Sequence, residues 1–176
     1  NVTSPLIGDF NIDNLLASIA ALIALSLNNK SRPQVDLRIL VKNITVLKAI
    51  KGRMELFSRH LVVNSDISKN TVAVVDYAHT PDALENALTA CKQHCQGELW
   101  VVFGCGGDRD QGKRPLMGAI AERLADHVIL TTDNPRNESS DNIIKNILAG
   151  CKIPENIETI VDRKKAVLTT LKKAGK

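Results

Sequence analysis

The sequence predicts an α/β fold with a mostly parallel sheet, helices on both faces, and two helices ahead of it. Three observations predict it. From residue 99 onward, short apolar runs alternate with helical patterns through brief connections, as in parallel strands joined by crossover helices. Hydrophobic residues make up 44% and charged residues 24%, which is the composition of a globular chain. Aromatics are only 3%, so the core has to be built from Leu, Ile, Val and Ala. At 176 residues the chain suits one domain, or one domain plus a piece of another.

Each element has its own local warrant. Leu6-Ile7-Gly8 leads into a helix that starts near Asn11, with Asn11 as a cap, and runs to about Leu27. Its apolar run at residues 15–27 is shorter than the roughly 20 residues a bilayer span needs, so it reads as a buried core helix. Asn28 to Ser31 with Pro33 is a break, a second helix follows at residues 35–47, and Gly52 ends it. Residues 54–63 and 71–75 read as strands, with the polar stretch 64–70 as a hairpin loop. Thr80-Pro81-Asp82 opens a helix to about His94, with Pro in its first turn. Then come a strand at 99–103, a helix at 115–125, a strand at 127–131, a helix at 140–148, a strand at 157–161 and a helix at 164–173.

Composition excludes some functions. The net charge of +4 is mild, and no basic stretch is interleaved with aromatics, so no nucleic-acid partner is expected. No secretory leader is read at Asn1-Val2-Thr3-Ser4-Pro5, so Cys91, Cys95, Cys105 and Cys151 are expected as free thiols in a cytoplasmic chain. Cys91, His94 and Cys95 would share a helix face, but no second ligand pair follows at zinc-site spacing, and no metal is expected on them.

Ligands of a parallel sheet bind beyond the carboxyl ends of its strands, which here means the loops after residues 103 and 131. The first contains "GDRDQGK", Gly107 to Lys113, in the G-x-x-x-x-G-K outline of a P-loop. Arg114 stands where a magnesium-binding Ser or Thr is required, and Asp108 and Asp110 would repel a triphosphate. A glycine-rich loop feeding a helix still favours a smaller anion such as a carboxylate, with Arg109, Lys113 and Arg114 nearby. The competing reading has Arg109 and Arg114 paired with Asp108, Asp110 or Asp126 to hold the loop.

The second loop is "TTDNPRNE", in which Asp133, Asn134 and Arg136 surround Pro135. The planar fork of Arg136 suits a carboxylate, and Asp133 or Asn134 suits an ammonium group, so together they could read an amino acid. A turn capping the helix near Ser140, plus an Asp–Arg surface pair, is the alternative.

"VDYAHTPDALENAL", "FGCGGDRDQGKRPLMGAIAERLAD" and "TTDNPRNE" closely resemble the Mur ligases of peptidoglycan synthesis, within them the branch that adds meso-diaminopimelate. "GDFNIDNLLASIAAL" is similar to the helix that closes that family's central ATP-binding domain. The resemblance implies a Rossmann-like C-terminal domain at residues 52–176, lacking its last strands, behind the tail of the central domain at residues 1–51. It implies a cytoplasmic, monomeric enzyme of cell-wall synthesis, with no membrane partner. ATP would phosphorylate a carboxylate of UDP-N-acetylmuramoyl-L-alanyl-D-glutamate, and the amine of meso-diaminopimelate would attack the acyl phosphate.

By the same resemblance, Asn11 and Asn14 lie beside the adenine, Arg53 reaches ATP from the domain junction, Asp76 binds the ribose and His79 lies near the phosphates. Lys51 stands where the family usually has Pro. Arg109, Asp133, Asn134, Pro135 and Arg136 match the diaminopimelate site, which turns the first loop into a carboxylate site. The family's P-loop and Mg2+ ligands would lie upstream, so this chain is expected to be an inactive fragment with an open sheet edge. Two alternatives stand beside the ligase. A non-catalytic amino-acid or nucleotide-binding module has no need of Asn11, Arg53 and Asp76 together with the two loops, and a lysine-adding Mur ligase has no need of Arg136.

Overall fold

A computed structural model describes residues 3–28, 35–58 and 71–174. Its elements, in chain order, are α1 (Phe10–Asn28), α2 (Leu37–Ile44), β1 (Glu55–Ser58), β2 (Val72–Val75), α3 (Pro81–His94), β3 (Trp100–Phe103), α4 (Lys113–Leu124), β4 (His127–Leu130), α5 (Ser140–Leu148), β5 (Glu158–Thr159) and α6 (Arg163–Lys173). Strands β3, β4 and β5 form a parallel sheet in that order, while β1 and β2 form a separate antiparallel pair. The α/β class with a parallel sheet is therefore as expected.

The sheet is covered on both sides. Helices α3, α4 and α5 pack side by side, whereas α6 packs on β3 and β4 instead and covers the opposite face. The core is aliphatic, as the scarcity of aromatics requires: Met117 and Ala121 of α4, Leu130 of β4, and Ile143, Ile144 and Ile147 of α5 are buried. Burying a side chain of the Leu, Ile or Met class contributes about 1.5–3 kcal/mol, so this layer supplies much of the driving force for the domain.

Helix boundaries follow local chemistry. Thr80 caps α3 by accepting from the Ala83 N–H at 3.3 Å, and Pro81 occupies its first turn. Asp36 caps α2, and Asp162 caps α6 by accepting from the Lys165 N–H at 2.8 Å. Helix α4 begins at Lys113, two residues before Pro115, because Pro lacks only an N–H that the first turn leaves free.

Three expectations change. Helix α1 starts at Phe10, so Asn11 lies inside its first turn; its amide donates to the Ile7 carbonyl at 2.7 Å instead of capping. Nor is α1 a buried core helix. None of its residues is buried: Leu15, Ile19 and Ile23 are half-buried, and Leu16, Leu25 and Leu27 are 57–67% exposed. At 19 residues it is long and apolar enough to cross a membrane on those two criteria alone, so the argument from a short run does not hold. Strand β5 ends early. Ile160 still donates to the Leu130 carbonyl at 2.9 Å, but the carbonyl of Val161 is taken by the Thr132 N–H and the hydroxyls of Thr131 and Thr132. The expected continuation of β1 and the loop at 64–70 lie outside the described residues.

Candidate functional site

The loops after β3 and β4 leave adjacent parallel strands and press against each other. A Cβ built on Gly107 would lie 1.9 Å from the Pro135 carbonyl oxygen, and one on Gly104 would lie 2.1 Å from that of Thr131. These glycines allow close approach of a second loop, which is a different task from wrapping phosphates. Gly107 N–H donates to the Asn134 carbonyl at 2.8 Å, and Arg136 Nη1 donates back to the Gly107 carbonyl at 2.5 Å.

Above this contact the two arginines flank Gly106. A Cβ on Gly106 would sit 3.0 Å from Arg136 Nη1 and 3.9 Å from Arg109 Cγ. Arg109 and Arg136 therefore rise on the same side of the fold, and both are exposed. Arg136 donates once to Gly107, which leaves most of its five N–H groups for a ligand. Asp108 and Arg136 both have left-handed backbones, with φ of 50° and 49°. Such a conformation is uncommon outside glycine and persists where surroundings over-determine it.

Arg114, the residue that breaks the P-loop pattern, is no anion ligand. Its side chain is fully buried. Nη1 donates to Glu138 Oε2 and to Asn146 Oδ1, both at 2.9 Å, and Nη2 donates to Glu138 Oε1 at 2.8 Å and to the Gly106 carbonyl at 3.2 Å. The alternative in which Arg114 holds the loop is thus the correct one, but its partner is Glu138 and not Asp108, Asp110 or Asp126. Asp126 pairs with Lys92 at 2.6 Å, and Asp110 accepts from the Gly112 N–H at 2.9 Å. The hydrogen bonds from Arg114 and from the Asp108 N–H hold the Glu138 carboxyl below its ordinary value. Hydrogen bonding to Glu138 in turn raises the already high value of Arg114.

Asp133 and Asn134 are exposed beside Pro135. Asp133 lies 3.9 Å from Arg163 Nη1, which also donates to the Thr132 carbonyl at 3.0 Å. Arg163, at the start of α6, was not anticipated. Burial pushes the Cys105 thiol up to about 11, so it stays protonated at neutral pH and packs on Met117.

A second cluster stands at the turn after β2. Asp76 accepts from the Met54 N–H at 2.9 Å and from the Ala78 N–H at 2.8 Å. The first bond crosses to the segment that carries Arg53, whose guanidinium lies 4.7 Å above the Tyr77 ring. Tyr77 and His79 meet edge to face with ring centroids 5.2 Å apart. Arg53, Asp76 and His79 are thus gathered, together with Tyr77, which sequence reasoning passed over and which is 62% exposed as a residue. Lys113 Nζ donates to the His79 carbonyl at 2.7 Å, linking this cluster to the start of α4. Asn11 and Asn14 do not join it: Asn14 donates to Asn11 at 3.4 Å, and neither bonds to Arg53, Asp76 or His79. A groove of about 680 Å³ beside α4, lined by Pro81, Val128 and Ile157 among others, includes none of Arg53, Asp76, His79, Arg109 and Arg136.

Comparison with known proteins adds an independent line. The family model described as Mur ligase, glutamate ligase domain, matches residues 52–176. A UDP-N-acetylmuramoyl-L-alanyl-D-glutamate–2,6-diaminopimelate ligase of Vibrio vulnificus is 52% identical over 147 residues, covering 84% of this chain and 27% of its own length. The ligase of the same name from Buchnera aphidicola is 48% identical over 166 residues, covering 94% and 30%. The chain thus spans under a third of these two relatives. A solved structure of a ligase with that name superposes with a TM-score of 0.61 at 42% identity, covering 96% of this chain and 31% of that one. A folylpolyglutamate synthase of Mycobacterium tuberculosis complexed with ADP and AMPPCP reaches 0.72 at 17% identity, covering 98% and 35%, a likeness of fold alone.

Proposed function

The chain belongs to the Mur ligase family, whose glutamate ligase domain it carries at residues 52–176, and on that premise we propose that it forms part of a longer cytoplasmic ligase. The complete enzyme joins meso-diaminopimelate to UDP-N-acetylmuramoyl-L-alanyl-D-glutamate at the expense of ATP, in peptidoglycan synthesis. Residues 1–51 belong to its central ATP-binding domain and residues 52–176 to its C-terminal amino-acid-binding domain. The enzyme acts as a monomer, and residues 1–176 alone lack ligase activity.

The observation that carries this reading is that Arg109 and Arg136 both lie beside Gly106. Diaminopimelate differs from lysine by one distal carboxylate. Two guanidinium groups on one side of two interlocked loops supply the positive charge and planar donors that this carboxylate needs. Asp133 and Asn134 face the amine from the same loop, and Pro135 holds the turn between them and Arg136.

The turn at residues 76–79 suits a nucleotide. Asp76 spends one bond per oxygen on backbone N–H groups, so it is held in place with lone pairs left for ribose hydroxyls. Arg53 is pre-oriented on Tyr77, and His79 lies beside it. By family resemblance Asn11 and Asn14 would reach the adenine from α1, although here they bond to Ile7 and to each other and not to this cluster. When bound, ATP supplies the activation of the acceptor carboxylate; its Mg2+ ligands belong to parts of the enzyme outside this chain.

The test is a reconstitution with the complete ligase containing this chain. ADP release should require both meso-diaminopimelate and the UDP-sugar dipeptide, and the product should gain the mass of one diaminopimelate less water. ADP release that is indifferent to the amino acid would overturn the assignment.

A further inference from the structure

We propose that Glu138 is a positioning residue that sets the aim of both Arg109 and Arg136, and through them the preference for an amino acid with a second carboxylate. This deepens the function proposed above and rests on it. Glu138 touches neither guanidinium directly. Its Oε1 accepts from the Asp108 N–H at 2.6 Å, the residue held at φ 50° immediately before Arg109. Its own N–H donates to the Pro135 carbonyl at 2.9 Å, closing the turn that carries Arg136 at φ 49°. One residue therefore bonds to Asp108, whose left-handed backbone precedes Arg109, and closes the turn in which Arg136 is left-handed.

The reference frame is rigid. Both Glu138 oxygens accept from the fully buried Arg114 of α4, which also donates to Asn146 of α5. Charge-assisted, bidentate geometry of this kind is both strong and directional. Asn137 adds two bonds to Asp108 Oδ2, from its side-chain amide at 2.9 Å and its N–H at 3.3 Å, at the solvent edge of the same contact. Loosening Glu138 would free Asp108 to leave the left-handed region and let Arg109 swing away from Gly106.

The experiment is steady-state kinetics of Glu138→Gln in the complete ligase. The variant is expected to raise KM for meso-diaminopimelate roughly tenfold while KM for ATP changes less than about twofold. Its ratio of kcat/KM for meso-diaminopimelate over L-lysine should fall by a similar factor of about ten. Glu138→Asp, which keeps the charge but is one carbon shorter, should lie between Glu138→Gln and wild type. A variant that melts earlier yet keeps both KM values and the selectivity ratio would show a merely structural role and overturn the proposal. Should Glu138→Gln fail to fold, Asn137→Ala decides, because it leaves the buried pair intact. A rise of about threefold in KM for the diamino acid alone supports the positioning role, and an unchanged value refutes it. If wild type uses L-lysine as well as meso-diaminopimelate, the functional reading itself fails, independently of any effect of Glu138.

Discussion

Lys113 Nζ donates to the carbonyl of His79 at 2.7 Å, tying the first turn of α4 to the turn after β2. The lysine that completes a P-loop-like pattern therefore fastens the second cluster to the start of α4. Lys113→Met should release the turn that holds Asp76 and His79. We expect KM for ATP to rise about three- to tenfold with a smaller effect on the diamino acid, a split that steady-state kinetics resolves. A uniform loss in both substrates would place Lys113 in general stability only.

Asp76 satisfies two backbone donors at once, Met54 N–H and Ala78 N–H. Met54 is buried, with φ of 48°, so its N–H has little access to water once the carboxylate is gone. Asp76→Ala is expected to cost about 1–3 kcal/mol in urea unfolding of the complete enzyme, on top of weaker ATP binding. Unchanged stability would mean that Met54 finds another acceptor.

Gly107 admits the Pro135 carbonyl at a distance that a methyl group cannot share. Gly107→Ala must push the two loops apart, and overpacking of this sort typically costs 1–3 kcal/mol. Because the strain falls at the loop contact, loss of diaminopimelate binding should exceed loss of ATP binding. Calorimetric titration of each ligand checks the order.

Acid should loosen the same contact. The Glu138 carboxyl is held below its ordinary 4.5 by Arg114 and the Asp108 N–H. A group depressed in the folded state contributes stability that is complete above its unfolded value and is lost as pH falls through the folded one. Stability is thus expected to decline below about pH 4.5, with Glu122 and Asp126, also lowered by hydrogen bonds, adding to the slope. Thermal melts of Glu138→Gln across that window should show a shallower decline than wild type, and parallel curves would remove Glu138 from the account.

Much of the fold was legible because its signals are local. Thr80-Pro81 marks the start of α3, and the alternation after residue 99 marks the parallel sheet. The two loops could be singled out by position, since parallel sheets bind ligands beyond strand carboxyl ends, and Arg53, Asp76, His79, Arg109 and Arg136 were singled out by resemblance to a known family. What stayed hidden depends on partners distant in sequence. Nothing near Arg114 or Glu138 announces a bond across 24 residues, and a buried arginine looks in sequence like any other. Gly107 and Gly112 drew the outline of a phosphate cradle, which the neighbouring charges argued against, but the reason for Gly107, the Pro135 carbonyl, belongs to another loop. The exposure of α1 was likewise unreadable, because an apolar stripe says that a partner is wanted, and not where it is.

The most direct test of the central claim is the selectivity of Arg136→Lys in the complete ligase, with meso-diaminopimelate and L-lysine compared side by side. The account predicts that wild type favours meso-diaminopimelate by about a hundredfold or more in kcat/KM, and that Arg136→Lys cuts this preference at least about tenfold, because an ammonium cannot reproduce the planar fork. Equal use of L-lysine by wild type, or an unchanged ratio in the variant, would contradict it.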